Sequence, residues 1–186
     1  MQPAILSKKT TLLLLLLIPV VSFFMHYSIF EKELSGVHVW RQSVTEINIQ
    51  NFYRHDFNIL NPRTNNLEGG NFGHGIDRLE FPLMQWLIAC VHKLSVDKII
   101  VSRICLFFIG LLSVWGMFNL LNNILKDNLA SLLGAWAFNF APVFYYYTMN
   151  PIPDNFALCT AIWSLSYFFK FLDYRKRNDV LFSAFF

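Results

Sequence analysis

Residues 12–24 read Leu-Leu-Leu-Leu-Leu-Leu-Ile-Pro-Val-Val-Ser-Phe-Phe, with no charge among them, and Lys8-Lys9 stand just before. With its flanks, the stretch from 10 to 30 reaches the ~20 residues that a helix needs to cross a bilayer. Hydrocarbon offers no partner for a backbone N–H, so such a segment must be a helix. A cleaved signal peptide has a shorter apolar region ending in a small-x-small site. Here Phe23, Phe24, Tyr27 and Phe30 follow instead. The sequence therefore predicts a retained first span, with the two lysines holding its start in the cytoplasm.

The rest of the composition agrees. Of the 186 residues, 55% are hydrophobic and only 15% charged, where an ordinary soluble domain carries about 25% charged residues. The formal charge of +3 includes no long basic tract, so nucleic acid is not a predicted partner. Cys90, Cys105 and Cys159 are scattered and odd in number; they read as packing residues, neither paired nor metal-binding.

Further spans are expected at 99–121, 129–147 and 155–172, with a truncated fifth from 180. Between the first and second lies an outer loop, 31–98, rich in Trp, Phe, Tyr, His and Arg, which is a poor composition for disorder. Within it Val37, Trp40, Val44 and Ile47 fall at helical spacing, which predicts a helix lying on the membrane with this face down. Residues 81–91 are mostly apolar but too few to span, and Pro82 suits a first helical turn. They are read as a juxtamembrane helix outside the bilayer. This choice places Lys8-Lys9, Lys126 and Arg175-Lys176-Arg177 together in the cytoplasm, as the positive-inside rule asks. It places Asp154 outside with the loop. The predicted fold is thus an all-α polytopic membrane protein, treated as one transmembrane domain over 1–186.

Several polar residues could carry chemistry. Arg103 opens the second span, where it either snorkels to headgroups or grips a phosphate bidentately. Arg41 beside Trp40 is open to the same two readings. Asp77 and Glu80 could supply a general base, although Glu80 also suits the start of a helix. Asp154 follows a Pro-rich turn, as an N-capping aspartate does. His38, His55 and His74 are dispersed and do not read as a zinc site.

The order of these features resembles the C-type glycosyltransferase superfamily, in particular its family 39-like and aminoarabinose-transferase-like bacterial members. The likeness rests on His38-x-Trp40-Arg41-Gln42-x-x-Thr45 with Asn51-Phe52, on Glu80-Phe81-Pro82-Leu83, on Arg103, and on Ala141-Pro142 followed by Pro153-Asp154. It implies a GT-C fold with juxtamembrane helices, of which this chain is expected to be the N-terminal part. It also implies transfer of a hexose-type sugar from a polyprenyl-phosphate donor to a glycan, lipid or protein acceptor. The reaction would face outward from a bacterial cytoplasmic membrane, with membrane lipid as the other partner. Under this resemblance Glu80, Asp154 and Asp77 are the catalytic candidates, while Arg103, Arg41 and His38 are the donor-phosphate candidates. No cofactor is implied, and no divalent metal is indicated. Ser43 and Val44 stand where relatives carry an acidic residue after Trp-Arg-Gln, which leaves Asp77, Glu80 and Glu46 as substitutes for the base.

The alternative is a non-catalytic membrane protein, a binding or assembly partner derived from such an enzyme. A transporter would want repeated halves, and the sequence contains no internal repeat.

Overall fold

A computed structural model describes residues 6–64, 75–76, 80–96 and 98–186. Among these residues all regular structure is helical: α1 (Lys8–His26), a 3-10 turn (Tyr27–Ile29), α2 (Val39–Arg54), α3 (Leu83–Lys93), α4 (Ile99–Leu125), α5 (Asn128–Asn139), α6 (Pro142–Tyr147), α7 (Asp154–Tyr174) and α8 (Arg177–Phe185). The protein is an all-α membrane protein. α1 with its 3-10 turn and α4 are each long and apolar enough to cross a bilayer. α7 has the length, 21 residues, but falls short of those two in apolarity.

The chain divides into two units. The first holds residues 1–28, 107–148 and 154–186. Its α1 starts at Ser7, whose Oγ accepts from Thr10 N at 3.1 Å, and its core gathers Ile18, Val114, Ala135 and Phe144. Small residues let the helices approach, as is usual between apolar helices. A Cβ on Gly110 would overlap the Thr148 methyl, and one on Gly116 would lie 3.0 Å from Ile162. Trp163 Nε1 donates to the Leu112 carbonyl at 3.1 Å, and Asn123 Nδ2 to that of Ser166 at 2.9 Å. At one end Lys126 pairs with Asp173.

The stretch 129–147, read from sequence as one helix, is two. Ala141 is extended (φ −60°, ψ 127°) and Pro142 opens α6. A proline has no N–H to continue the ladder and pushes its predecessor out of the helical region, so α5 stops at Asn139. The residues from 180 belong to α8, which turns back on α7: Ser164 Oγ donates to the Ser183 carbonyl at 2.7 Å, and Tyr167 meets Phe182 at 5.1 Å between ring centroids.

The second unit holds residues 29–106 and 149–153, so it contains α2, α3 and the start of α4. α3 forms where a helix was expected and is amphipathic. It buries Met84, Gln85, Ile88, Ala89 and His92 and exposes Leu83, Leu87 and Val91. α2 departs from expectation in what it buries. Val37 and Trp40 are exposed, but the buried residues of α2 are Gln42, Thr45, Glu46, Asn48 and Asn51 along with Ile49 and Phe52. A polar side chain is stable inside only where its groups find partners, and α4 and nearby loops supply several of them. Gln42 Nε2 donates to the Val37 carbonyl at 3.1 Å, and Asn51 Nδ2 to that of Arg63 at 2.8 Å.

Candidate functional site

Three groups of polar side chains stand out in the second unit. The first is half-buried at the start of α3. Arg41, in the first turn of α2, forms an ion pair with Glu80, and both side chains keep about a quarter of their surface exposed (26% and 29%). The other oxygen of Glu80 accepts from Gln85 Nε2 at 2.8 Å. Two residues 39 positions apart are thereby joined, and a buried amide on α3 steadies the carboxylate. His38, the residue before α2, is exposed and sits in the left-handed region at φ 61°.

The second group is deeply buried. Arg103 is 1% exposed. Its Nη2 donates to the carbonyls of Lys32 and Glu33 at 2.7 and 3.2 Å, and its Nη1 to that of Met149 at 3.4 Å. Ser102, one residue before Arg103, donates to Glu46 Oε1 at 3.2 Å, and His92 Nε2 lies 3.0 Å from the Ser102 oxygen. The Tyr53 ring stacks on His92 at 4.6 Å and 7°. Arg103 thus neither snorkels nor faces solvent in this structure; its guanidinium is occupied by the protein's own carbonyls.

A third polar group closes the turn after α2. Asp56 accepts from the backbone N–H of Asn58, from Asn61 Nδ2 and from Arg63 Nη2, each at 3.1 Å. These bonds, the Asn58 N–H first, hold its carboxyl below the ordinary range. On the other unit, Asp154 is the first residue of α7 and is exposed, where the helix dipole favours an acid. Asp77 lies outside the described residues, as does His74. Among the described residues, no three His, Cys, Asp or Glu side chains gather as for a metal ion.

Of the residues singled out in the sequence, the structure brings together Arg41 with Glu80, and it joins Glu46 to Ser102, the residue before Arg103. Gln85, Ser102 and His92 were not singled out. Gln85 and His92 stand seven residues apart on α3 and so share a face, a polar interruption of an otherwise apolar stripe that could have marked them.

A model of the family described as dolichyl-phosphate-mannose-protein mannosyltransferase matches residues 80–186. That is more than half of the chain. The protein belongs to this family. It is therefore a member of the C-type glycosyltransferases. The match begins at Glu80 and takes in Arg103 and Asp154, whereas His38, Arg41 and Glu46 lie before it. No curated protein and no solved structure matches the chain.

Proposed function

We propose that the protein moves a hexose-type sugar from a polyprenyl-phosphate donor to a glycan, lipid or protein acceptor on the outer face of a bacterial cytoplasmic membrane. The family match carries this reading. The half-exposed Arg41–Glu80 pair supports it, because it puts a carboxylate and a guanidinium side by side where a substrate can reach them. In the reaction the acceptor oxygen bonds to the anomeric carbon. The bond from that carbon to the phosphate oxygen breaks, and its electron pair leaves on the polyprenyl phosphate. The acceptor's proton goes to a carboxylate, a contribution of typically 10²–10⁴-fold. Glu80 is our choice for that carboxylate, with Asp154 as a second candidate and Asp77 as a third. Arg41 and His38 serve the donor phosphate. Arg103 could serve it only by giving up its bonds to Lys32 and Glu33, so we assign it support of the site instead.

The test is transfer by the purified protein in lipid nanodiscs, with a labelled polyprenyl-phosphate hexose as donor and membrane glycolipid as acceptor. Wild type should transfer label, and Glu80→Gln should lose about 10² in turnover while binding donor within a few-fold. Donor binding with no transfer by wild type would favour the non-catalytic reading. That reading draws on Ser43 and Val44 standing where relatives carry an acid.

A further inference from the structure

α2 and α3 pack against each other, and polar side chains join them at two places. At one, Arg41 on α2 pairs with Glu80, whose other oxygen accepts from Gln85 on α3. At the other, the joint runs through a third helix. Ser102, in the first turn of α4, donates to Glu46 Oε1 on α2 at 3.2 Å, and its oxygen lies 3.0 Å from His92 Nε2 on α3.

The second joint has one arrangement of protons. A carboxylate only accepts and a hydroxyl has a single proton to give, so that of Ser102 goes to Glu46. His92 Nε2 must then carry a proton and donate it to the Ser102 oxygen. The Tyr53 ring, stacked on the imidazole at 4.6 Å, holds its plane. Ser102 is 0% exposed, so solvent does not reach either bond.

Gln85 and His92 stand seven residues apart on α3, which is two turns and about 10 Å along one face. A bond that fixes His92 therefore fixes the rotation of the whole helix about its axis, Gln85 included. Met84, Ile88 and Ala89 are buried on the same helix, but apolar contact has no preferred direction, whereas a hydrogen bond weakens steeply when bent. The bond to Ser102 is thus the finer constraint.

We propose that Ser102 is a positioning residue. By accepting from α3 and donating to α2 it sets the rotation of α3 against α2, and through Gln85 it sets where the Glu80 carboxylate stands. It does not touch substrate. In so far as it concerns transfer, this rests on the reading of Glu80 given above.

Two measurements on the purified protein in nanodiscs test it. The first needs no transfer. Spin labels on Trp40→Cys and Leu83→Cys, both exposed positions, in a background lacking Cys90, Cys105 and Cys159, report the distance between the starts of α2 and α3. Ser102→Ala should shift that distance by about 2 Å, the arc that a side chain ~6 Å from the axis travels when its helix turns by roughly 20°. His92→Phe, which keeps the ring and loses the donor, should do the same, and Ser102→Thr, which keeps the hydroxyl, should match wild type. An unchanged distance in both Ser102→Ala and His92→Phe would overturn the proposal. The second measurement is kinetic. Ser102→Ala should lower kcat about tenfold with donor binding within a few-fold, as a displaced carboxylate does. In the Glu80→Gln background the same change should cost nothing further, because a residue that acts through Glu80 then has nothing left to position. A tenfold loss in both backgrounds would overturn the link to Glu80. If wild type transfers nothing, the glycosyltransferase reading fails, and the distance measurement still decides whether Ser102 fixes α3.

Discussion

Removing either partner of the Arg41–Glu80 pair breaks the same ion pair, yet the two losses should differ. Both side chains are about a quarter exposed, so solvent screens their attraction. Pairs of this kind contribute roughly 0.2–1 kcal/mol. Arg41→Ala should therefore cost about 1 kcal/mol or less. Glu80→Ala removes the same pair and also the acceptor for Gln85 Nε2. Gln85 is 1% exposed, and its amide oxygen has no partner in the structure. Without Glu80 its NH2 group would also lose a partner. A buried polar group left unmatched costs about 1–3 kcal/mol, so Glu80→Ala should cost roughly 2–3 kcal/mol in all. Glu80→Gln can still accept from Gln85 and should fall in between. The assay is equilibrium unfolding of the purified protein in mild detergent, titrated with SDS and followed by far-ultraviolet circular dichroism. An Arg41→Ala loss equal to or greater than that of Glu80→Ala would refute the reasoning, because the carboxylate would then have no duty beyond the pair.

Three other outcomes follow from the structure and the topology. Single cysteines at Asp154 and Lys176, both exposed, in a background lacking Cys90, Cys105 and Cys159, should label oppositely with an impermeant thiol reagent, position 154 from outside and 176 not; labelling of 176 from outside would overturn the proposed orientation. Gly110→Val should destabilise by about 1–3 kcal/mol, since its side chain must displace Thr148, whereas a change within 0.5 kcal/mol would mean that α4 and Thr148 are not closely packed. Asp56 titrates below its ordinary value of about 3.9 because the folded turn favours its charged form, so its stabilisation is complete above that value and is lost as pH falls through the lower, folded one. Protease resistance of the turn should accordingly be flat from pH 7 to about 5 and fall in stronger acid, and Asp56→Asn should remove that acid-dependent step.

The apolar segments were legible in the sequence because their state needs no distant partner. Residues 12–24 and the run after Ile99 are helical for a reason internal to each, the lack of any other donor or acceptor in hydrocarbon. The same holds for α3, whose apolar positions lie three and four apart and whose start is marked by Pro82. Pro142 was visible too, but whether it would bend a helix or divide it depended on how Ala141 and its neighbours pack. The site was legible only as a set of residues. Helical periodicity says which side chains of α2 share a face, and Gln42, Thr45, Glu46 and Ile49 do; it does not say which face turns inward. That was decided by Ser102 on α4, more than fifty positions away (Ser102 to Glu46, 56), because a buried carboxylate is stable only where a donor meets it. Arg103 likewise reads alone as an arginine at a membrane edge. Only the tertiary structure brings the Lys32, Glu33 and Met149 carbonyls to its guanidinium, and with both Nη nitrogens so engaged it has no terminal pair of donors to offer a phosphate without breaking those bonds.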